Sequence, residues 1–138
     1  MNFLLDTNAV SEWVKPRPNA GLMEWMESAD EDWVFISVVS LAELHYGVER
    51  MAPGARRNRL EQWLHHELPL RFESRILLVD TSVAETWGRT LSRAEAAGRP
   101  MGAMDAFLAA TAEVHKMTLV TRNVSDFPLL RMVLNPWT

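Results

Sequence analysis

The chain has no cysteine among its 138 residues. That absence excludes disulfides, thiolate-bound zinc and cysteine nucleophiles together, and it fits a reducing compartment such as the cytoplasm. Apolar runs are short, and none has the length of a membrane span. Met1-Asn2-Phe3-Leu4-Leu5-Asp6 lacks a basic n-region and is interrupted by charge, so it does not read as a signal peptide. No Gly-x-x-x-x-Gly-Lys loop or Gly-x-Gly-x-x-Gly turn occurs, which argues against nucleotide cofactors. No Gly-x-Ser-x-Gly elbow supports a serine nucleophile. Positive charge is scarce too: 14 Lys and Arg stand against 18 Asp and Glu, a formal net charge of −4. Such a chain does not hold a long duplex by phosphate electrostatics alone, but a nucleic acid that meets a local metal cluster is still allowed. The balance of 48% hydrophobic and 23% charged residues describes a soluble globular protein, here one domain spanning 1–138.

What the chain does have is an alternation of apolar strands and helical stretches. Phe3-Leu4-Leu5 reads as a buried parallel strand, with Asp6 at its carboxyl end and Thr7 and Asn8 placed to bond free backbone N–H groups of the next helix. Val10 to Val14 is helical until Pro16 and Pro18 stop it. Asn19 caps a helix to about Ser28 that carries Leu22, Met23, Trp25 and Met26. Trp33–Ser37 is a second strand. Ser40 then caps a helix from Leu41 to about Arg50, and Glu43 completes a Ser-x-x-Glu capping box. Leu60, Trp63, Leu64 and Leu68 mark one side of a helix over 55–68, with Arg56, Arg57 and Arg59 opposite, and Pro69 closes it. The Arg cluster reads either as a solvated face or as a nucleic-acid contact.

Ile76–Val79 is a third strand, and Asp80 caps a helix ending near Gly98 and Pro100. A small-residue helix runs from Met104 to His115. Thr118–Thr121 is a fourth strand and Met132–Leu134 a short fifth. With no repeats and no low-complexity segment, this order predicts a three-layer α/β/α domain with a parallel sheet of four or five strands.

In a parallel sheet every strand end points one way, so residues just past the strands share one rim. Asp6, Glu43, Asn123 and Asp126 stand at such places, and Asp105 reaches the rim through the start of its helix. Two readings are open at this point. The acids are helix caps that never meet, or they converge, and converging carboxylates need a hard cation to offset their repulsion. Mg2+ or Mn2+ takes oxygen ligands and activates water for attack on a phosphodiester. The histidines do not compete, since His65 and His66 point different ways on a helix and His45 and His115 stand alone.

Four motifs in this order are similar to those of PIN-domain ribonucleases: Leu4-Leu5-Asp6-Thr7-Asn8, Ala42-Glu43-Leu44-x-x-Gly47, Asp105-x-x-x-Ala109-Ala110-x-Ala112 and Thr121-Arg122-Asn123-x-x-Asp126-Phe127. Within that family the chain resembles the VapC-type toxins, including their FitB-like branch, which Asn135-Pro136-Trp137 also resembles. The resemblance implies a metal-dependent endoribonuclease, the toxin of a type II toxin–antitoxin pair. It implies Asp6, Glu43 and Asp105 as ligands for Mg2+ or Mn2+. The fourth acidic position of many members falls on Asn123, which carries no charge; Asp126, one turn on, either compensates or pins the loop. Thr7 and Arg122 are the candidates for holding phosphate. The partners implied are RNA, a VapB- or FitA-like antitoxin that also binds promoter DNA, and a second copy of the chain. No membrane is implied. Trp13, Met23, Trp25 and Met26 are either core or an apolar patch for a partner.

Two rivals remain. A phosphatase using Asp6 as nucleophile would want a second Asp where Asn8 stands. A catalytically weak PIN module would bind RNA or its antitoxin without cutting.

Overall fold

The computed structural model describes residues 1–138. Its elements are β1 (Phe3–Leu5), α1 (Thr7–Trp13), α2 (Ala20–Ser28), β2 (Val34–Ser37), α3 (Val38–Glu49), α4 (Ala55–Gln62), α5 (Leu68–Phe72), β3 (Ile76–Leu77), α6 (Thr81–Ala96), α7 (Ala103–His115), β4 (Thr118–Val120) and β5 (Val133–Leu134). The five strands form one all-parallel sheet in the order β3-β2-β1-β4-β5.

Because successive side chains on a strand point to opposite faces, a fully apolar strand feeds two cores at once. Leu5, Val34, Ile36 and Val120 join one cluster with Ala9, Val10, Leu22, Leu64, Leu68 and Phe72 from α1, α2 and the α4–α5 segment. Leu4 and Leu119 join the other, with Leu108, Ala109 and Ala112 of α7. The small residues of α7 let its backbone lie close to the sheet, and α6 packs on α7 from outside. Helices on both faces make the three layers. Trp13, Met23, Trp25 and Met26 are half-buried against the first cluster, with Trp25 edge-on to Phe3, so they serve as core.

Three expectations need correction. Helix α3 starts at Val38, capped by Ser37, whose Oγ accepts from the Val39 N–H at 3.0 Å. Ser40 lies inside the helix, fully buried. Two serines three residues apart both suit an N-cap, and burial of Val39 favours the earlier one. The capping box is therefore not formed, and Glu43 is released for other contacts. Pro69 does not close its helix: residues Trp63–Glu67 make a π turn, with the Leu68 N–H bonded to the Trp63 carbonyl, and the helix continues to Phe72. Shifting the ladder by one residue just before the proline accommodates its missing donor. Strand β3 is only two residues long, and Leu78 is 68% exposed.

The C-terminal segment folds back across the start of α2. Asn19 caps α2 by accepting from the Leu22 N–H at 3.2 Å, and its side chain also bonds both the N–H and the carbonyl of Thr138. Gly21 allows that approach, because a Cβ there would overlap the Pro136 carbonyl and Thr138.

Candidate active site

From β1 the chain passes to β2 on one side, and on the other side of β1 lies β4. The sheet order therefore reverses beside β1, and such a switch point opens a crevice at the carboxyl ends of the strands. Asp6 stands in it. Its N–H continues the sheet by bonding to the Val120 carbonyl at 2.9 Å. The residue is 6% exposed. Oδ1 accepts from the Thr7 N–H at 2.6 Å, which caps α1, and Oδ2 accepts from the Thr121 hydroxyl at 2.7 Å. Burial pushes the Asp6 pKa upward against those two hydrogen bonds, and the Glu43 and Asp126 carboxylates push it further.

Thr7 and Asn8 do not bond backbone N–H groups of α1 as the sequence suggested. The Thr7 hydroxyl donates to Glu43 Oε1 at 2.6 Å and lies 2.9 Å from the Ser40 Oγ. The Asn8 amide donates to Asp6 Oδ2 at 3.3 Å, and its oxygen accepts from the Arg122 N–H at 3.4 Å. Helix α1 thus uses its first two side chains to tie the ends of β1, α3 and β4 together.

Asp105 enters from the first turn of α7, where no strand leads directly to the rim. Burial raises its pKa to about 6, helped by the carboxylates of Asp6, Asp126 and Glu43. Asp105 lines the same cleft as Asp6, Glu43 and Asp126. After β4, the Thr121 hydroxyl accepts from the Asn123 N–H at 3.0 Å, and Val124–Asp126 forms a single 3-10 turn that brings Asp126 round.

The site residues expected from sequence, Asp6, Thr7, Glu43, Asp105, Arg122, Asn123 and Asp126, line one cleft of about 350 Å³. Trp137 supplies its only large apolar wall. No three of the acids close into a compact ligand shell; they border a common space. Glu12 also faces the cleft, but it is already satisfied: Lys15 at 2.9 Å holds its carboxyl below the usual range, aided by the Asn19 N–H. Sequence reasoning missed two fully buried hydroxyls: Thr121, which bonds Asp6, and Ser40, which bonds the Thr7 hydroxyl that in turn holds Glu43. Their signal is a hydroxyl residue where an apolar strand ends or a helix turns inward, which is weak without knowing the neighbours.

The model of the PIN domain family matches residues 3–128. The chain belongs to the PIN domain family. Toxin FitB of Neisseria gonorrhoeae is 36% identical to this PIN domain over 135 residues, covering 97% of each chain. A VapC ribonuclease of Sinorhizobium fredii is 29% identical over 97% of this chain and 96% of its own. Among solved structures, FitAB bound to a DNA fragment matches with a TM-score of 0.91 at 35% identity, covering 99% of this chain and 96% of that one. The PIN fold thus accounts for the expected three-layer architecture and for the motif order. No helix is long and apolar enough to cross a membrane.

Proposed function

We propose that this PIN domain, taken as one unit over 1–138, is a divalent-metal-dependent endoribonuclease and the toxin of a VapBC-type toxin–antitoxin pair. The observation that carries the reading is the crowding of Asp6, Glu43, Asp105 and Asp126 around one polar cleft, with Asp105 raised to about 6 by the others and by burial. The donor set suits a hard cation: it is all oxygen, it has no imidazole or thiolate, and no Lys or Arg is ion-paired to its acids. Asp6, Glu43 and Asp105 would hold Mg2+ or Mn2+. When bound, such an ion supplies Lewis acidity, making water a better nucleophile at neutral pH and offsetting charge on a phosphodiester.

The chain's own side chains set the stage for that chemistry. Thr121 fixes the Asp6 carboxylate and Thr7 fixes Glu43, so neither has to reorganise when charge develops. Arg122 at the rim holds substrate phosphate. Asp126 serves as the charged fourth acid, and Asn123 offers a neutral amide beside it. Relatives named as VapC ribonucleases support the RNA substrate, and a relative named Toxin FitB with neighbours solved as FitAB and VapBC complexes supports a FitA- or VapB-like antitoxin partner. DNA would be met through that antitoxin, with the toxin as a homodimer.

The test is cleavage of mixed cellular RNA with Mg2+ or Mn2+, wild type beside Asp6→Asn, with EDTA controls. Cutting that both the substitution and EDTA abolish is the expected result. Intact RNA in the presence of Mn2+, across substrates, overturns the nuclease and leaves a module that binds RNA or antitoxin.

A further inference from the structure

Trp137 is the one hydrophobic residue in a cleft otherwise lined by polar and charged side chains. Its indole Nε1 is also the chain's only buried side-chain N or O atom without a hydrogen-bond partner. Trp87 shows the usual arrangement: it is half-buried too, and its Nε1 donates to the Ala103 carbonyl at 3.0 Å. A buried donor left unpaired costs stability. The core against which Trp137 packs could be filled by Phe or Leu without that cost. Packing alone therefore does not account for an indole here. The remaining surface of this half-buried residue lies in the cleft wall.

Bonds on both sides hold the ring in place. The Trp137 N–H donates to Asn135 Oδ1 at 3.0 Å, and the Asn135 amide donates to the Arg122 carbonyl at 3.3 Å. On the far side, Thr138 bonds Asn19 through its backbone N–H and carbonyl, and its Oγ1 accepts from the Gly21 N–H at 3.2 Å. The indole is thus fixed between the start of α2 and the loop after β4. It is tied to the backbone of the same arginine that holds phosphate in the nuclease reading.

We propose that Trp137 is the platform on which a base beside the scissile phosphate stacks, while Arg122 holds that phosphate. The inference rests on the nuclease reading and adds to it the residue that positions the nucleotide. Every base has a π face, so such a stack sets position without reading sequence. Among acids that repel a polyanion, an uncharged aromatic wall is the contact left for the rest of the nucleotide.

The test crosses variants of the protein with variants of the RNA. A labelled single strand of ~12 nucleotides spans a cut mapped on cellular RNA. It is compared with strands in which either base at the cut is replaced by an abasic ribose. Wild type, Trp137→Phe and Trp137→Leu are each confirmed as folded by circular dichroism. Binding is read by fluorescence anisotropy with Ca2+ in place of Mn2+ to slow cleavage, and KM is read in Mn2+. Loss of the stacked base should weaken binding to wild type about tenfold and raise KM by the same factor. Trp137→Leu should bind the intact strand about tenfold more weakly and lose the abasic penalty. Trp137→Phe, which keeps an aromatic face, should retain most of both.

A purely structural wall would weaken intact and abasic strands alike. An abasic penalty as large in Trp137→Leu as in wild type therefore overturns the proposal while leaving the nuclease standing. So does the absence of any penalty in wild type at either base. Where Mn2+ supports no cutting, the abasic ribose is stepped along a mixed-sequence strand of the same length. A penalty that Trp137→Leu abolishes then upholds the platform and sinks the nuclease. A penalty at no position, or no binding at all, sinks both.

Discussion

The carboxylates gathered at the carboxyl edge of the sheet contrast with the few that are ion-paired: Glu31, Glu49, Glu61 and, at the margin of the cleft, Glu12. Glu31 holds Arg71 at 2.6 Å, and Arg75 bonds the Glu31 carbonyl while lying over the Phe72 ring. Glu49 and Glu61 share Arg57, and Glu12 has Lys15. At the rim, Asp6, Glu43, Asp105 and Asp126 face one another with hydroxyls and N–H groups but no ion-paired cation. None of the chain's ion pairs involves these four acids. Carboxylates that push on one another with no ion-paired cation among them are the arrangement that the proposed cation would relieve.

The widest effect should come from Asp6→Asn, which keeps the shape of the side chain and removes the central charge. RNA cleavage with Mn2+ should fall at least ~100-fold, measured as initial rates; an active variant would break the contrast between the two regions. Asp105→Asn comes next, lowering cleavage while stabilising the metal-free chain at neutral pH. The sign follows from proton linkage. In the folded chain Asp105 keeps its proton up to about pH 6, whereas unfolded chain loses it near ~3.9. Between those values the native state binds more protons, so its stability falls as pH rises through that window. The melting temperature of wild type relative to Asp105→Asn should therefore drop between those pH values, and added Mn2+ should restore it at neutral pH. A difference independent of pH and metal would remove the claim of crowding.

In the paired region, Arg75→Ala should cost about 1–3 kcal/mol in a denaturant titration, because its mostly buried guanidinium bonds the carbonyls of Glu31, Val34 and Arg71. Nuclease rates of the folded variant should not change. Arg71→Ala should cost within about 1 kcal/mol, since it loses a half-exposed ion pair and its stacking on Trp13. A larger loss there than at Arg75 would show that the paired acids are not the inert background assumed.

Much of this arrangement is legible in the sequence because β1 announces itself: three apolar residues ending in Asp6 can be little else than a buried strand with a polar terminus. Alternation of strands and helices then places Glu43 and the Thr121–Asp126 loop on the same rim. Glu43 was harder to interpret, because Ser40-x-x-Glu43 satisfies the capping pattern as well as Ser37 satisfies a simple cap. Burial of Val39 and of Ser40, the latter against Thr7, separates them. Asp105 was placed by family likeness more than by pattern, since its position depends on how α7 packs against the sheet. Thr121 gave no local sign of its role, which exists only because β4 runs beside β1. Pro69 misled because a π turn, invisible in periodicity, made room for it.

The strand order has a consequence in time. Strand β1 is made first, yet its two neighbours are β2 and β4, and Asp6 waits for Thr121 on a segment 115 residues later. Contacts so distant along the chain form late in folding. A nascent chain that has released Asp6 and Glu43 still lacks Asp105, Thr121 and Asp126, and the centre of its sheet is open on one side. Synthesis itself therefore acts as a delay: the cleft cannot assemble until nearly the last strand is out.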